Sequence, residues 1–237
     1  SLDKLKVIGS RSNSIKIIKH LPQKQGRFKE YPSDIYPSLV KAFKQKGFSR
    51  LYTHQFDSWR LSQEKKNIVV VTPTASGKTL CYNLPVLDSI LKNPSARSIY
   101  LFPTKALSQD QRAELDDTTA LLPEEVRIFT YDGDTPQDAR KAIRARGHII
   151  ITNPDMLHTG ILPHHTKWIK LFENLKYIVI DELHNYRGIF GSHLANILRR
   201  LKRIAAFYGS SPQFILCTAT IANPAEMAQK TIEEPVS

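Results

Sequence analysis

From Asn67 onward the sequence alternates short β-branched runs with helix-length amphipathic stretches, and this alternation constrains the fold more than any other feature. The runs cover residues 67–72 (NIVVVT), 98–102 (SIYLF), 126–131 (VRIFTY), 148–152 (HIIIT), 177–181 (YIVID) and 213–218 (QFILCT). Several are apolar on both faces, as in parallel strands covered by helices on each side. Helix-length stretches fall at 78–91, 106–121, 136–146, 192–208 and 225–230. The order predicts right-handed βαβ units and an α/β fold with a doubly wound, mostly parallel sheet. Ligands of such sheets bind beyond the carboxyl ends of the strands, so the chemistry is expected just after each strand. Before Tyr52, the scattered Pro22, Gly26, Pro32, Pro37 and Gly47 predict an extended or loosely packed lead-in with one short helix near 38–46.

Charge is informative once it is located. The 237 residues carry a net +12. Residues 1–50 hold 12 basic and 3 acidic side chains, so most of the excess sits at the N-terminal end. We read residues 1–35 as a basic N-terminal extension. Such a segment suits a polyanion, nucleic acid above all, and a merely solvated arm accounts for it as well. No apolar run approaches the ~18 residues of a membrane span, and the first residues (SLDKLKVIGS) lack a signal peptide's apolar stretch. Two cysteines, Cys81 and Cys217, make neither a disulfide framework nor a zinc site, and read as small buried hydrophobes. These features exclude membrane and disulfide-scaffold classes, and the expected setting is the reducing cytoplasm.

The first strand runs into Thr72-Pro73-Thr74-Ala75-Ser76-Gly77-Lys78-Thr79, followed by a helix-competent stretch. This is the phosphate-binding pattern G-x-x-x-x-G-K-[ST] in its strand–loop–helix context, with Thr72 in place of the first glycine. The backbone of Thr74, Ala75, Ser76 and Gly77 is expected to cradle the phosphates of ATP. Lys78 is expected to neutralise the β- and γ-phosphates, and the Thr79 hydroxyl to ligate Mg²⁺. About a hundred residues later another strand ends in Asp181-Glu182-Leu183-His184. Asp181 at the strand tip suits the second Mg²⁺ ligand, and Glu182 is placed to polarise an attacking water. An isolated D-E pair would suit a helix N-cap equally; the phosphate loop upstream decides for the metal.

The segments T-P-T-A-S-G-K-T, P-T-K-A-L-S-Q-D-Q, T-N-P-D-M-L, D-E-L-H and T-A-T, in that order, resemble motifs I, Ia, Ib/Ic, II and III of superfamily 2 helicases of the DEAD/DEAH kind. LYTHQ, TYDGDTPQDAR, TNPDMLHTGILPHH and DELHNYRGIFGSHLANILRRL are similar to the bacterial mitomycin repair factor A family of DNA-repair helicases. The resemblance implies that residues 36–237 form a RecA-like ATP-binding lobe of a 3′-to-5′ DNA translocase that works with ATP and Mg²⁺. It implies that Gln55 reads the adenine edge, and that Thr218-Ala219-Thr220 couples the nucleotide site to the nucleic-acid face. It assigns His184 a bond toward that third motif and the other lobe. Tyr52 or Phe48 suits stacking on the base, though a core role fits either as well. The resemblance further implies a second lobe bearing an arginine finger and a zinc-binding region beyond it. Neither lies in this sequence, so the chain is expected to be one lobe of a longer, monomeric motor, nearly inactive alone.

The remaining post-strand loops offer hydroxyls or backbone N–H groups at helix starts: Pro103-Thr104-Lys105, Gly133-Asp134-Thr135 and Thr152-Asn153-Pro154. Such groups grip phosphates without reading bases, so they are expected to hold single-stranded or tailed DNA by its backbone. The basic stretch 138–146 could add to these contacts, but it and the Arg199, Arg200, Lys202, Arg203 cluster fit solvated faces better. His158, His164 and His165 are not spaced as a metal set. The insertion 185–191, with Phe190 at its tip, has no assignable role. Three alternatives stand beside this reading. They are an RNA helicase of the DEAD-box type, another P-loop class such as a kinase or transporter ATPase, and a nucleotide- or DNA-binding module without turnover.

Overall fold

The computed structural model describes residues 26–72 and 76–237. The strands are β1 (Phe28–Lys29), β2 (Leu51–Tyr52), β3 (Ile68–Val71), β4 (Arg97–Leu101), β5 (Ile128–Thr130), β6 (Ile149–Thr152), β7 (Leu175–Ile180) and β8 (Gln213–Thr218). The helices are α1 (Pro37–Gln45), α2 (Thr53–Gln63), α3 (Lys78–Lys92), α4 (Lys105–Thr119), α5 (Gln137–Arg146), α6 (Pro154–Met156), α7 (Ile169–Glu173), α8 (Ile189–Phe207) and α9 (Pro224–Ile232). Strands β3 to β8 form one sheet in the order β3-β8-β7-β4-β6-β5. Every neighbouring pair is parallel. All six runs predicted from the sequence are therefore strands of this sheet.

The registers level the strand ends. Val71 lies opposite Thr218, Ile180 opposite both Leu216 and Leu101, and Leu101 opposite Thr152. The loops that follow the strands consequently emerge along one rim. The strand order divides that rim. Loops after β3, β8 and β7 share one half, and loops after β4, β6 and β5 share the other.

Each face of the sheet is covered. α3 packs over one face and is buried from Leu80 to Leu91, with Val70, Tyr100, Tyr177 and Ile215 in the same cluster. α8 covers the other with Leu194, Ile197, Leu198 and Leu201 against Ile99, Ile178, Phe214 and Leu216. Burial of such side chains is worth ~1.5–3 kcal/mol each, so the two layers dominate stability.

Three departures from expectation have physical causes. Residues 1–25, most of the predicted basic extension, lie outside the described residues; from residue 26 on the lead-in is not loosely packed: α1 buries Leu39, Ala42 and Phe43, Leu51 is fully buried, and β1 pairs with β2 in a short antiparallel ribbon. α2 has no apolar period because its buried positions are mostly polar: Gln55, Ser58, Trp59 and Ser62. Ser58 Oγ donates to Cys81 O at 2.7 Å, which ties α2 to α3. Finally, α8 begins at Ile189, so Phe190 stands in its first turn and not at the tip of a loop. Gly188, with φ +57, turns the chain into that helix.

Candidate nucleotide site and nucleic-acid face

The nucleotide half of the rim is assembled from β3, β7 and β8. α3 starts at Lys78 behind Gly77, whose φ is +77. Thr74 and Ala75 lie outside the described residues. Ser76 Oγ donates to Thr72 Oγ1 at 2.6 Å, so a threonine in the usual first-glycine position closes the loop through its hydroxyl. Lys78 Nζ is buried and has no hydrogen-bond partner among the described residues. It lies 3.9 Å from Glu182 Oε1, near enough for attraction and too far for a hydrogen bond. A buried ammonium in that state is incomplete and calls for an anion.

Asp181 closes the other side. Its backbone N–H donates to Leu101 O at 3.1 Å, and Oδ1 accepts from Glu182 N at 2.8 Å. Burial pushes its carboxyl above the ordinary range, against the hydrogen bonds from Glu182 N and the Tyr82 hydroxyl. Tyr82 Oη lies 3.0 Å from Asp181 Oδ2 and 2.6 Å from the Gln111 amide. A phenol has one proton. Gln111 Oε1 and Asp181 Oδ2 share it as acceptors, and Gln111 Nε2 stays buried without a hydrogen-bond partner among the described residues. Tyr82 and Gln111 are not predicted from the sequence. They sit on two separate helices, and nothing in the spacing pairs them.

Glu182 adopts a left-handed backbone conformation (φ 51, ψ 45) uncommon for a non-glycine residue. Its Oε2 is 3.1 Å from His184 Nδ1, and that same nitrogen accepts at 3.4 Å from Ala219 N. His184 is thus placed between Glu182 and the segment after β8, as the motif resemblance implies. The three residues of that segment separate. Thr218 is fully buried with Oγ1 lacking a hydrogen-bond partner among the described residues, Ala219 meets His184, and Thr220 lines a different groove with Tyr186 and Arg187. Between Lys78, Thr79, Asp181 and Glu182 lies a cleft of about 250 Å³, with Tyr82, Gln111 and Glu114 on its far wall.

Gln55 is buried and fully used. Oε1 accepts from Tyr52 N at 2.9 Å, and Nε2 donates to Gly77 O at 3.0 Å. Its amide therefore braces the phosphate loop in this state. A beta carbon on Gly77 would lie 2.6 Å from Nε2. The Tyr52 ring stacks on Phe28 at 4.7 Å and on His54 at 5.6 Å, beside the loop. Phe48 lies elsewhere, edge-on to Phe43 at 6.3 Å.

The other half of the rim brings together the loops after β4, β6 and β5. Thr104 caps α4 by accepting from Leu107 N, and Asn153 caps α6 by accepting from Met156 N at 2.8 Å. Lys105 pairs with Asp134, which joins two of these loops. Gly133 is exposed; the Thr135 hydroxyl closes its own turn by accepting from Asp132 N at 2.9 Å. Thr152 departs from expectation. It is buried, and its hydroxyl donates inward to Tyr131 O at 2.6 Å. Pro103 is half-buried and Pro154 buried, so both shape the loops. No group of three or more potential metal ligands occurs among the described residues.

The model of the DEAD/DEAH box helicase family matches residues 52–228. The chain belongs to that family. As a helicase lobe it is similar to the "Uncharacterized ATP-dependent helicase YprA" of Bacillus subtilis, 55% identical over 90% of this chain and 28% of that protein. It is similar to the ATP-dependent helicase HRQ1 of Saccharomyces cerevisiae, 38% identical over 95% of this chain and 21% of the relative. The lobe also superposes on the crystal structure of the DUF1998 helicase MrfA bound to DNA and AMPPNP. There the TM-score is 0.93 and the identity 51%, over 98% of this chain and 33% of that one. The chain thus spans a third or less of these relatives. The sheet and its flanking helices are a RecA-like helicase lobe, as expected from the sequence.

Proposed function

We propose that this chain is the ATP-binding motor lobe of a DNA helicase or translocase that moves 3′ to 5′ and serves DNA repair. The observation that carries the reading is the buried Lys78 ammonium, which has no hydrogen-bond partner among the described residues and faces Asp181 and Glu182 across a cleft beside the loops at Lys105, Gly133 and Asn153. The set fits ATP with Mg²⁺. Lys78 and the start of α3 suit a polyphosphate, and Thr79 and Asp181 supply the hydroxyl and carboxylate that Mg²⁺ takes. When bound, the metal neutralises charge on the β- and γ-phosphates.

The chain's own residues do the rest. Lys78 holds the phosphate tail. Tyr82 and the Glu182 N–H fix the orientation of Asp181. Glu182 takes the proton of the attacking water. The arginine finger, worth ~10³–10⁵ in rate in related enzymes, would come from a second lobe in a longer protein. Loops that grip phosphate suit a monomeric motor that steps along any sequence, and the cytoplasm is the proposed setting. Two crystal structures of MrfA hold DNA, which supports DNA over RNA as the track.

The test is an ATP-analogue titration and a steady-state ATPase assay on residues 1–237 and on the whole protein, with single-stranded DNA or RNA of one sequence. We expect Mg²⁺-dependent binding by both, and turnover stimulated by DNA only in the whole protein. Robust DNA-stimulated turnover by residues 1–237 alone would refute the need for a second lobe. Absence of nucleotide binding would refute the site.

A further inference from the structure

Next to Tyr131, which follows the edge strand β5, lies a cavity of about 360 Å³ between α5 and the irregular helical segment after α6. Four side chains that carry or can carry positive charge line it: Arg140 and Arg144 from α5, and His164 and Lys167 from the other wall. None of the lining residues is acidic. Arg140 Nε donates to Thr135 O at 3.0 Å, and its guanidinium lies 5.4 Å from the Tyr131 ring. Arg144, His164 and Lys167 make no ion pair among the described residues.

The contrast with the second basic cluster is what decides. There Arg199 pairs with Glu233 and Lys202 with Glu234, as in an ordinary solvated surface. Here two arginines sit one helical turn apart on α5, where like charges repel, and no acid among the described residues pairs with them. Trp168, which also lines the cavity, has a buried indole N–H without a hydrogen-bond partner among the described residues. The lining is rich in donors and poor in acceptors, the inventory of an anion site. The sequence alone predicts a solvated face for α5, because His164 and Lys167 are about twenty residues away in the chain.

We propose that this pocket binds a phosphodiester of single-stranded DNA and extends the strand track past β5. The inference rests on the reading of the post-strand loops as the strand's contacts. Arg140, tied to Thr135, makes the pocket continuous with the loop after β5. Forked guanidinium groups grip a phosphate and ignore the base, so the contact tolerates any sequence.

The experiment is fluorescence polarisation of labelled oligo(dT) on the chain across a salt series. One strand is short enough to span only the three loops, and the other is several nucleotides longer. The double substitution Arg144→Ala, Lys167→Ala should weaken the longer strand about tenfold and lower its salt slope by about 0.7 for each phosphate no longer gripped. The short strand should be unaffected, and Arg144→Lys should restore most of the affinity. Lys105→Ala should weaken both strands. If Lys105→Ala weakens both while the double substitution changes neither length, the pocket proposal falls alone. If Lys105→Ala changes neither strand, the reading of the loops falls with it. If the double substitution abolishes binding of inorganic phosphate but leaves both strands unchanged, the pocket is a free-anion site and the track ends at β5. Melting temperatures check the fold, and Lys167→Gln, at an exposed position, replaces the double substitution should that fail to fold.

Discussion

Gly77→Ala isolates the coupling between the phosphate loop and the helix that braces it. The residue has φ +77, a conformation that costs a side-chain-bearing residue ~1–2 kcal/mol. The new methyl would lie 2.6 Å from Gln55 Nε2, so the amide must withdraw and give up its bond to Gly77 O. One hydrogen bond is worth about 1 kcal/mol. The expected loss is therefore about 2–3 kcal/mol. Gln55→Ala alone forfeits the bonds to Tyr52 N and Gly77 O. In the double variant the clash has no partner, so the two effects should fall short of additivity by about 1 kcal/mol. Urea unfolding followed by the fluorescence of Trp59 and Trp168 measures all three. A Gly77→Ala protein within roughly 0.5 kcal/mol of the parent, the scatter of neutral substitutions, would refute the conformational argument. Full additivity would refute the clash.

Further outcomes are expected. Glu182→Gln should keep nucleotide affinity while DNA-stimulated turnover in the whole protein falls by at least about 10²-fold, the scale of general-base assistance; unchanged turnover removes Glu182 from its role. Tyr82→Phe should weaken nucleotide binding in Mg²⁺ but not in EDTA, as read by titration with a fluorescent nucleotide, because it strips a hydrogen bond from Asp181. Burial lowers the His148 pKa from 6.5 to about 4, and its Nδ1 accepts from Arg127 N at 3.0 Å. A depressed histidine contributes stability above pH 6.5 that is lost as pH falls toward about 4, so urea midpoints should drop across that window and drop less in His148→Asn.

Much of this architecture is legible in the chain because the central strands are apolar on both faces and each leads into a loop of recognisable chemistry. The phosphate loop and the D-E pair can be read because a strand precedes each. α2 is hidden because it buries Gln55, Ser58 and Ser62, which carry no hydrophobic period. The segment after Pro154 is hidden because π and 3₁₀ turns rotate its buried face out of register. Tyr82 and Gln111 are hidden because a contact between two helices far apart in the chain leaves no trace in local spacing. Thr152 misleads for the converse reason: its position after a strand suggests an outward hydroxyl, and the neighbouring Tyr131 carbonyl captures it.

α4 begins at Lys105, on the strand side, and six residues later carries Gln111 against Tyr82. Six residues of α-helix make a strut of about 9 Å. On the proposed function its two ends would belong to different ligands. A polymer that pulled on the first turn would then pull, through a single stiff lever, on the phenol hydrogen-bonded to the acid beneath the triphosphate.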